Sequence, residues 1–326
     1  KFTGSGAVYT GWSVGEDGAY YYDQQGSCLT DMGSQIDGYW YYFQKDGKIL
    51  SSGWREKAGN YYYYDENGYL VTNCELDING KHYKFTGSGA VYTGWYVGED
   101  GLYYYDQQGF CLTDTGKKLS GYWYYFQKDG KMLSSGWREK DGSHYYYDAQ
   151  GHLILNAGMK IDGYWYYLDG NGRRYESQFR QKGADWYYYD EEGHLVLNRD
   201  MKIGKYRYIF QNNGAAYQGL KTENGKVIGF TPLGRQAFDD GVKDGNDWYY
   251  FDADGVMKQN SFRQKNGQSF YYDGEGHLVL NEELDINGKH YKFTESGAAY
   301  TGLYTDGTDT YYYQADGSRA EDAGMQ

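Results

Sequence analysis

A glycine recurs every 20 or 21 residues along the whole chain, and this spacing constrains the fold more than any other feature. The stretch GWSVGEDGAYYYDQQG, residues 11–26, shows the unit: a Gly-Trp pair, a short polar link, a run of tyrosines and a turn that ends in glycine. Glycine tolerates the positive φ that such a turn requires. A period of this length predicts stacked hairpins rather than a closed globule. The turn glycines are Gly6, Gly26, Gly47, Gly68, Gly89, Gly109, Gly130, Gly151, Gly172, Gly193, Gly214, Gly234, Gly255, Gly276, Gly297 and Gly317.

The repeat predicts an all-β fold, a β-hairpin solenoid of about sixteen hairpins of 20–21 residues each. Residues 1–31 and 84–114 differ at only three positions, so four hairpins form a larger unit of 83 residues. Aromatic residues make up 20% of the chain while its mean hydropathy is −0.90. Aliphatic side chains are therefore too few for one large core, and each hairpin must bury its aromatic rings against its neighbours.

Positions within one hairpin are counted back from its turn glycine. The fourth position, for example Phe43, and the sixth, for example Tyr41, are nearly always aromatic. Because side chains alternate along a strand, these two positions share one face, which we expect to be the inner face. The fifth position accepts Lys84 and the seventh accepts Ala19, and this tolerance predicts that they lie on an outer face.

The fourteenth position alternates between two kinds of residue, so the structural unit is a pair of unlike hairpins, about 41 residues long. In every second hairpin the position is large and apolar, and in the hairpins between it is small or acidic, as in Gly33 and Glu75. A second set of tryptophans occupies the variable seventh position, where a large ring serves either packing or binding. The large residues at the fourteenth position are Trp12, Trp54, Trp95, Trp137, Phe179, Leu220, Phe262 and Leu303, and the seventh-position tryptophans are Trp40, Trp123, Trp165, Trp186 and Trp248.

Charge and domain organisation narrow the range of partners. A net charge of −13 repels a polyphosphate backbone, so nucleic acid is not expected as a partner, whereas a neutral or cationic ligand is suitable. We expect a single repeat array over residues 1–326. Because the Gly-Trp pair is lost after Trp137, we expect binding to concentrate in the Trp-rich residues 1–200, with the degenerate repeats 201–326 as a spacer or cap. Lys1 corresponds to Lys84 inside a predicted strand, so we expect a piece of a longer protein. No apolar run is long enough to predict membrane insertion.

The sequence carries no pattern of catalytic or cofactor-binding residues. The aspartates of turns such as DQQG cap their own turn, and no Ser-His-Asp, Cys-His or phosphate-loop signature is present. We therefore predict that the protein is not an enzyme and has no catalytic residue, metal site or cofactor. His152, His194 and His277 each follow a turn glycine singly, which favours solvent-exposed turn histidines over a zinc site.

Several segments resemble known repeats. GWREKAGNYYYYDENG (53–68), GYWYYFQKDGKILSSGW (38–54) and DWYYYDEEGHL (185–195) resemble the cell-wall-binding (choline-binding) repeat family. LDINGKHYKFTGSG (76–89) and LDINGKHYKFTESG (284–297) are similar to the related glucan-binding repeats of glucansucrases and receptor-binding repeats of large clostridial toxins. The resemblance covers nearly the whole chain and implies a stack of hairpins. It is much less specific about the ligand.

In this family choline lies between successive hairpins in a cage of about three aromatic rings, so the resemblance implies cation–π capture of a quaternary ammonium. The sequence departs from the family pattern, because Ala19 and Leu102 stand where a second cage tryptophan is expected. Cages completed across hairpins are an alternative, and the departure also favours a sugar platform. The proposed cages are Trp12 with Tyr20 and Trp40, Trp95 with Tyr103 and Trp123, and Trp137 with Tyr145 and Trp165; Trp54 and Trp186 complete the predicted ligand-binding residues.

The sequence thus predicts a non-catalytic binding module that attaches a secreted or surface bacterial protein to a repetitive polymer of the cell wall. The expected partner is teichoic acid carrying choline, or a glycan, and repeated weak sites would add avidity. The expected location is secreted, at the cell wall or cell surface. Two alternatives stay open: an α-glucan-binding accessory domain of a glucan-processing enzyme, and an adhesin or stalk that contacts a host glycan or protein.

Overall fold

The computed structural model describes residues 1–320, and all regular structure in that range is β. Thirty short strands pair in sequence order into fifteen antiparallel hairpins. The predicted fold class, an all-β stack of hairpins, is confirmed. The chain divides into two compact units, Lys1–Leu155 and Asn156–Gln326. Within the described residues, no helix has the length and apolar character needed to cross a bilayer.

The first unit contains seven hairpins. Its strands are β1 Gly11–Gly15, β2 Gly18–Tyr22, β3 Met32–Ile36, β4 Tyr39–Phe43, β5 Gly53–Lys57, β6 Asn60–Tyr64, β7 Glu75–Ile78, β8 Lys81–Lys84, β9 Gly94–Val97, β10 Leu102–Tyr105, β11 Thr115–Leu119, β12 Tyr122–Phe126, β13 Gly136–Lys140 and β14 Ser143–Tyr147.

The second unit contains eight hairpins. Its strands are β15 Ala157–Ile161, β16 Tyr164–Leu168, β17 Gln178–Lys182, β18 Asp185–Tyr189, β19 Arg199–Ile203, β20 Tyr206–Phe210, β21 Gly219–Glu223, β22 Lys226–Phe230, β23 Asp240–Asp244, β24 Asp247–Phe251, β25 Ser261–Lys265, β26 Gln268–Tyr272, β27 Glu283–Ile286, β28 Lys289–Lys292, β29 Gly302–Thr305 and β30 Thr310–Tyr313.

The two kinds of hairpin predicted from the sequence alternate along the chain. We call a hairpin with a large apolar residue at the fourteenth position an A hairpin, and the hairpins between them B hairpins. The A hairpins are β1–β2, β5–β6, β9–β10, β13–β14, β17–β18, β21–β22, β25–β26 and β29–β30, and the other seven are B hairpins. The turn of the first glycine, Gly6, is flanked by a Phe2–Val8 bridge rather than by two named strands, so residues 1–320 hold fifteen strand pairs where about sixteen hairpins were predicted.

The turn after each hairpin explains the recurring glycine. In the turn at residues 23–26, the Gly26 N–H donates to the Asp23 carbonyl at 3.0 Å, and Asp23 Oδ1 accepts the N–H groups of Gln25 and Ser27 at 2.9 and 2.8 Å. Gly26 has φ of 79°, and a Cβ there would lie 2.0 Å from Val8 Cγ1. All sixteen predicted turn glycines have positive φ. Backbone conformation and close packing therefore both require glycine at this position.

Successive hairpins are joined by their backbones. The residue two places after a turn glycine donates its N–H to the carbonyl of the seventh-position residue one hairpin earlier. Ile49 donates to Ala19 at 3.0 Å, and Leu70 donates to Trp40 at 2.8 Å. The seventh position therefore contributes a carbonyl to the stack whatever its side chain is. This accounts for its tolerance of different side chains.

The core lies between hairpins and confirms the prediction for the fourth position. Phe43 and Phe126 are completely buried. The prediction that the fifth position lies on an outer face is wrong for A hairpins. Tyr21 lies 5.1 Å from the ring of Trp12 and 6.4 Å from that of Phe43 in the next hairpin. A hairpin inside a stack has neighbours on both faces, so its second face is also buried in part.

Candidate aromatic ligand sites

The contact from an A hairpin to the following B hairpin brings together side chains from three hairpins. The ring of Trp12 lies 4.8 Å from that of Tyr41, in the next hairpin, at an interplanar angle of 61°. Tyr69, which follows the turn glycine of the hairpin after that, lies 5.4 Å from Tyr41 and stacks on Tyr39 at 4.0 Å. We call Trp12, Tyr41 and Tyr69 the first aromatic triad.

The same three positions recur along the chain. In the first unit, Trp54 lies 4.8 Å from Tyr83, and Trp95 lies 5.0 Å from Tyr124. The second unit keeps the positions but replaces many of the rings. The second and third triads are Trp54, Tyr83 and Phe110, and Trp95, Tyr124 and His152; the corresponding sets of the second unit are Phe179, Tyr208 and Arg235, then Leu220, Tyr249 and His277, then Phe262, Tyr291 and Ser318.

The first triad forms a neutral aromatic corner. Trp12 and Tyr41 meet at an angle, Phe43 lies behind them at 6.2 Å from Trp12, and the small side chain of Ala19 shares the same hairpin face as Trp12. Burial, together with a hydrogen bond to Tyr69, raises the pKa of Tyr41 to about 12. The hydroxyl of Tyr41 therefore stays protonated at physiological pH, and the corner offers π faces without a formal charge.

The triads differ in how close the protein's own cations lie. In the second triad the Lys81 ammonium lies 3.9 Å from the ring of Phe110. In the set that contains Phe179, Arg235 replaces the third ring and pairs with Asp240 at 2.8 Å. Across residues 1–320, no lysine or arginine lies over a ring of the first triad, and its central ring, Tyr41, is 7% exposed.

The contact from a B hairpin to the following A hairpin is closed by cations of the chain itself. The Arg55 guanidinium lies 3.8 Å from the ring of Tyr42. After β7–β8, Lys84 bonds to Glu75 at 2.6 Å and lies 4.3 Å from the ring of Tyr96. The cation–π positions at this contact are therefore already filled. The other arginine–tyrosine pairs are Arg138 with Tyr125 at 3.7 Å, Arg180 with Tyr167 at 3.8 Å and Arg263 with Tyr250 at 3.5 Å.

The three cages predicted across hairpins are not brought together. Trp12 lies opposite Tyr21 in the hairpin register, so Tyr20, the neighbour of Tyr21 along β2, points to the other face. Trp12 contacts Tyr41, whereas Trp40, the neighbour of Tyr41 along β4, points away from that contact. The alternation of side chains along a strand thus separates all three members of the first predicted cage.

The same alternation separates Trp95 from Tyr103 and Trp137 from Tyr145, which lie on opposite faces of their hairpins. The hydroxyl of Tyr103 donates instead to Asp100 at 2.8 Å. The role of these residues in ligand binding stays a prediction, with the members regrouped: the tryptophans of the A hairpins belong to triads, and the sixth-position tyrosines of the same hairpins lie outside them.

The remaining predicted residues fall into two groups. Trp186 lies 6.4 Å from Phe179, which in turn lies 5.0 Å from Tyr208, so these three rings form a group in the second unit. The other seventh-position tryptophans are about half exposed on B hairpins. They are Trp40 at 49%, Trp123 at 44%, Trp165 at 45% and Trp248 at 40% of full exposure.

Each half-exposed tryptophan lies on the same hairpin face as a glycine, diagonally across the strands from it; the residues directly opposite are Gln35, Lys118, Lys160 and Lys243. Ring atoms of Trp248 lie 3.6 Å from the position that a Cβ of Gly241 would take. Where the fourteenth position is acidic, the seventh is basic, and the pair forms an ion pair, as for Arg207 and Asp200 at 2.5 Å. The four glycine–tryptophan pairs are Gly33 with Trp40, Gly116 with Trp123, Gly158 with Trp165, and Gly241 with Trp248. The sequence alone therefore shows which hairpins combine a glycine at the fourteenth position with a tryptophan at the seventh.

Sequence reasoning missed the B-hairpin tyrosines and the residue after the turn glycine as triad members. The sequence does offer one signal for these positions. In the middle of the chain, the residue that follows the turn glycine of an A hairpin carries a ring, as Tyr69, Phe110 and His152 do. The prediction of solvent-exposed turn histidines fits His277, whose side chain is 38% exposed, better than the other two. The side chains of His152 and His194 are 25% exposed, and His194 stacks on Tyr164 at 3.9 Å. The missed triad residues are Tyr41, Tyr69, Tyr83, Phe110, Tyr124 and His152.

Together these features define a class: a repeat protein of stacked β-hairpins with aromatic clusters at alternate contacts. Five segments of the chain match the model of the family described as "putative cell wall binding repeat", at residues 35–49, 52–70, 117–132, 160–173 and 242–257. The chain therefore carries cell wall binding repeats, in both of its units, as the sequence predicted.

Three solved structures share a limited likeness with this chain. The autolysin LytC from Streptococcus pneumoniae, in complex with a synthetic peptidoglycan ligand, is 20% identical with a TM-score of 0.46; the match covers 82% of this chain and 52% of LytC. Choline binding protein F from the same organism is 22% identical with a TM-score of 0.38, covering 89% and 98%. An alternansucrase in complex with isomaltononaose is 23% identical with a TM-score of 0.25, covering 87% and 22%.

The chain thus spans about half the length of LytC. A comparison with curated proteins finds no match. Because all three TM-scores are below 0.5, the assignment rests on the five repeat segments.

Proposed function

We propose that this chain is a non-catalytic module that attaches a secreted or surface bacterial protein to a choline-bearing polymer of the cell wall. The ligand group is the quaternary ammonium of choline, and the sites are the aromatic triads at the A-to-B contacts. The observation that supports this most directly is the contrast between contacts: at four B-to-A contacts an arginine lies over a tyrosine, while among residues 1–320 no lysine or arginine lies over a ring of the first triad.

The geometry of the first triad suits a bulky cation beside the rings rather than between them. At 4.8 Å, the rings of Trp12 and Tyr41 are in contact, so no gap separates them. Their 61° angle leaves a corner, with the small Ala19 on the same hairpin face. A trimethylammonium group in that corner gains cation–π attraction of about 0.5–2 kcal/mol per favourable ring. A single site of this kind is weak, and repetition along the chain adds avidity for a polymer.

The test is a titration of intrinsic tryptophan fluorescence and calorimetry with free choline on the whole chain. We expect a saturable response that falls by at least one site in Trp12→Ala and in Trp95→Ala. Trp40→Ala and Trp123→Ala are matched controls, because these tryptophans lie on the opposite hairpin face from the triads. Equal loss in both pairs, or no response to choline, would contradict the proposal.

A second candidate function, binding of an α-glucan, is favoured by a different observation. The rings of Trp40, Trp123, Trp165 and Trp248 are about half exposed, and pyranose rings stack on such faces through their apolar C–H groups. Titration with an isomalto-oligosaccharide separates the two functions. A response to sugar that is lost in Trp40→Ala and Trp123→Ala, with none to choline, would assign the chain to glucan binding.

A further inference from the structure

Two turns of the second unit group the side chains that commonly bind a transition-metal ion. Asp190, Glu192 and His194 each offer a ligand atom, and these atoms all lie within 4.8 Å of one another. Asp273, Glu275 and His277 form a second group with the same spacing and the same limit. We propose that the turns at residues 190–194 and 273–277, which share the pattern Asp-x-Glu-Gly-His, each bind a divalent cation of the zinc class.

The turn holds the aspartate and the histidine together whether or not a metal is bound. Asp190 Oδ1 accepts the backbone N–H of His194 at 2.8 Å, which leaves Oδ2 for another partner. His194 Nδ1 lies 3.9 Å from that Oδ2, and in the other turn His277 Nδ1 lies 3.2 Å from Asp273 Oδ2. Two of the three ligands are thus placed by the turn itself, on one side of it.

A residue outside the turn orients the imidazole of His194. Its Nε2 lies 2.9 Å from the hydroxyl of Tyr166, and its ring stacks on Tyr164 at 3.9 Å. When Nε2–H donates to Tyr166, Nδ1 carries its lone pair toward Asp190. Metal-binding histidines are oriented in this way, with the second nitrogen donating to an outer group. A lone pair that faces a carboxylate is stabilised by a cation between them.

The third ligand of each site is a glutamate. Glu192 and Glu275 are exposed, so their carboxylates can rotate toward the ion. Zinc bonds to nitrogen and oxygen are about 2.0–2.2 Å and tetrahedral, which places two ligand atoms of one ion about 3.3–3.6 Å apart, so rotation of the glutamate must close a gap of up to about 1.5 Å. One imidazole and two carboxylates suit zinc and its neighbours better than calcium, which prefers oxygen ligands alone.

The chain contains its own control. Residues 148–152 form the same turn with the sequence Asp-Ala-Gln-Gly-His. His152 Nδ1 lies 3.5 Å from Asp148 Oδ2, and His152 Nε2 lies 3.0 Å from the hydroxyl of Tyr124. Only the glutamate is replaced, by Gln150, which is a weaker ligand without charge. The geometry of this turn predicts that Gln150→Glu creates a third site.

The experiment is a calorimetric titration of the whole chain with zinc chloride. We compare the wild type, the double variant Glu192→Gln/Glu275→Gln and the single variant Gln150→Glu. The double variant is expected to bind two fewer ions, because loss of a direct ligand should weaken each site more than about tenfold, the lower range for loss of an outer partner. Gln150→Glu is expected to bind one more. Zinc held elsewhere, for example by the exposed Cys74, cancels in these differences.

The three substitutions in these two variants alter exposed turn side chains and keep the capping aspartates, so circular dichroism should show unchanged folding. In spectra of ¹⁵N-labelled imidazoles, zinc should fix His194 as the tautomer protonated at Nε2. An unchanged number of ions in the double variant, no additional ion in Gln150→Glu, or no binding by the wild type at millimolar zinc would each overturn the proposal.

Discussion

The A-to-B and B-to-A contacts are built from the same tyrosine-rich strands, yet they differ in where a cation is found. At four B-to-A contacts an arginine of the chain lies over a tyrosine, as Arg55 does over Tyr42 at 3.8 Å. At the first A-to-B contact the rings of Trp12 and Tyr41 meet without such a partner among residues 1–320. One contact carries a cation of the chain over its ring, and the other does not.

The comparison teaches that aromatic content alone does not identify a ligand site in a repeat of this kind. Tyr42 and Tyr41 are neighbours in β4, both are aromatic, and only the face of Tyr41 belongs to a triad. What distinguishes them is the residue that the next or previous hairpin places against each ring. The following predictions test that distinction, from the largest expected effect to the smallest.

The largest effect is expected in the core of the A-to-B contact. Phe126 is completely buried, and Phe126→Ala should lower the free energy of unfolding by about 3–5 kcal/mol through loss of burial and creation of a cavity. Trp123→Ala removes a larger ring that is 44% exposed and should cost far less. Urea denaturation of both variants measures the difference. Equal losses would show that the exposed tryptophan also carries packing energy.

Alkaline pH should reduce stability through the tyrosines between hairpins. Burial raises the pKa of Tyr41 and that of Tyr189 to about 12, whereas an unfolded tyrosine ionises near pH 10. Between these values the unfolded chain releases protons first and is favoured, so this stability is complete below about pH 10 and lost as pH rises toward 12. Tyrosinate absorbance and circular dichroism should change together. Ionisation that clearly precedes unfolding would show that the A-to-B tyrosines are accessible in the folded state.

Removing the internal cation should weaken a B-to-A contact and open it. Arg55→Ala should cost about 1 kcal/mol, since the cation–π contact with Tyr42 and the packing of the arginine stem are lost. Choline should restore part of this loss in Arg55→Ala by occupying the vacated ring face. Thermal unfolding with and without choline measures both effects, and Glu56→Ala, at an exposed position of the same strand, is the control. If choline stabilises both variants by the same amount, the arginine does not exclude it.

The smallest effect concerns the second triad. Lys81 lies 3.9 Å from the ring of Phe110, and Lys81→Ala should raise choline affinity about twofold by freeing that ring, equivalent to roughly 0.5 kcal/mol. Lys289 occupies the same position in β28, where Ser318 replaces the ring, so Lys289→Ala should leave choline binding unchanged. Calorimetry of the two variants tests this. A gain in both would point to net charge rather than to the ring.

The sequence predicted the repeat, the turns and the buried fourth position because each depends on local rules. Turn glycines are required by φ, and the inner face follows from alternation along a strand, so Phe43 and Gly26 could be placed without a structure. The burial of the outer face could not be predicted in this way. Tolerance at the fifth position predicts exposure, but Tyr21 lies between two hairpins, a relation that depends on stacking rather than on strand periodicity.

The predicted grouping of rings into cages differs from the structure for a related reason. The sequence identifies aromatic positions in a hairpin but does not show which face of one hairpin meets which face of the next. Trp12 was grouped with Tyr20, its near neighbour across the strands, while its actual partner is Tyr41 of the next hairpin. The third member, Tyr69, comes from yet another hairpin, 57 positions from Trp12 along the chain, and no local pattern joins them.

The backbone bond between successive hairpins has a consequence for how such a chain changes over time. Because the amide of Ile49 binds the carbonyl of Ala19, and the amide of Leu70 that of Trp40, attachment does not depend on which side chain the accepting residue carries. A hairpin copied or exchanged by recombination keeps this attachment immediately. Residues 1–31 and 84–114, which differ at only three positions, are such a copy, and side chains can then diversify hairpin by hairpin while the attachment between hairpins is kept.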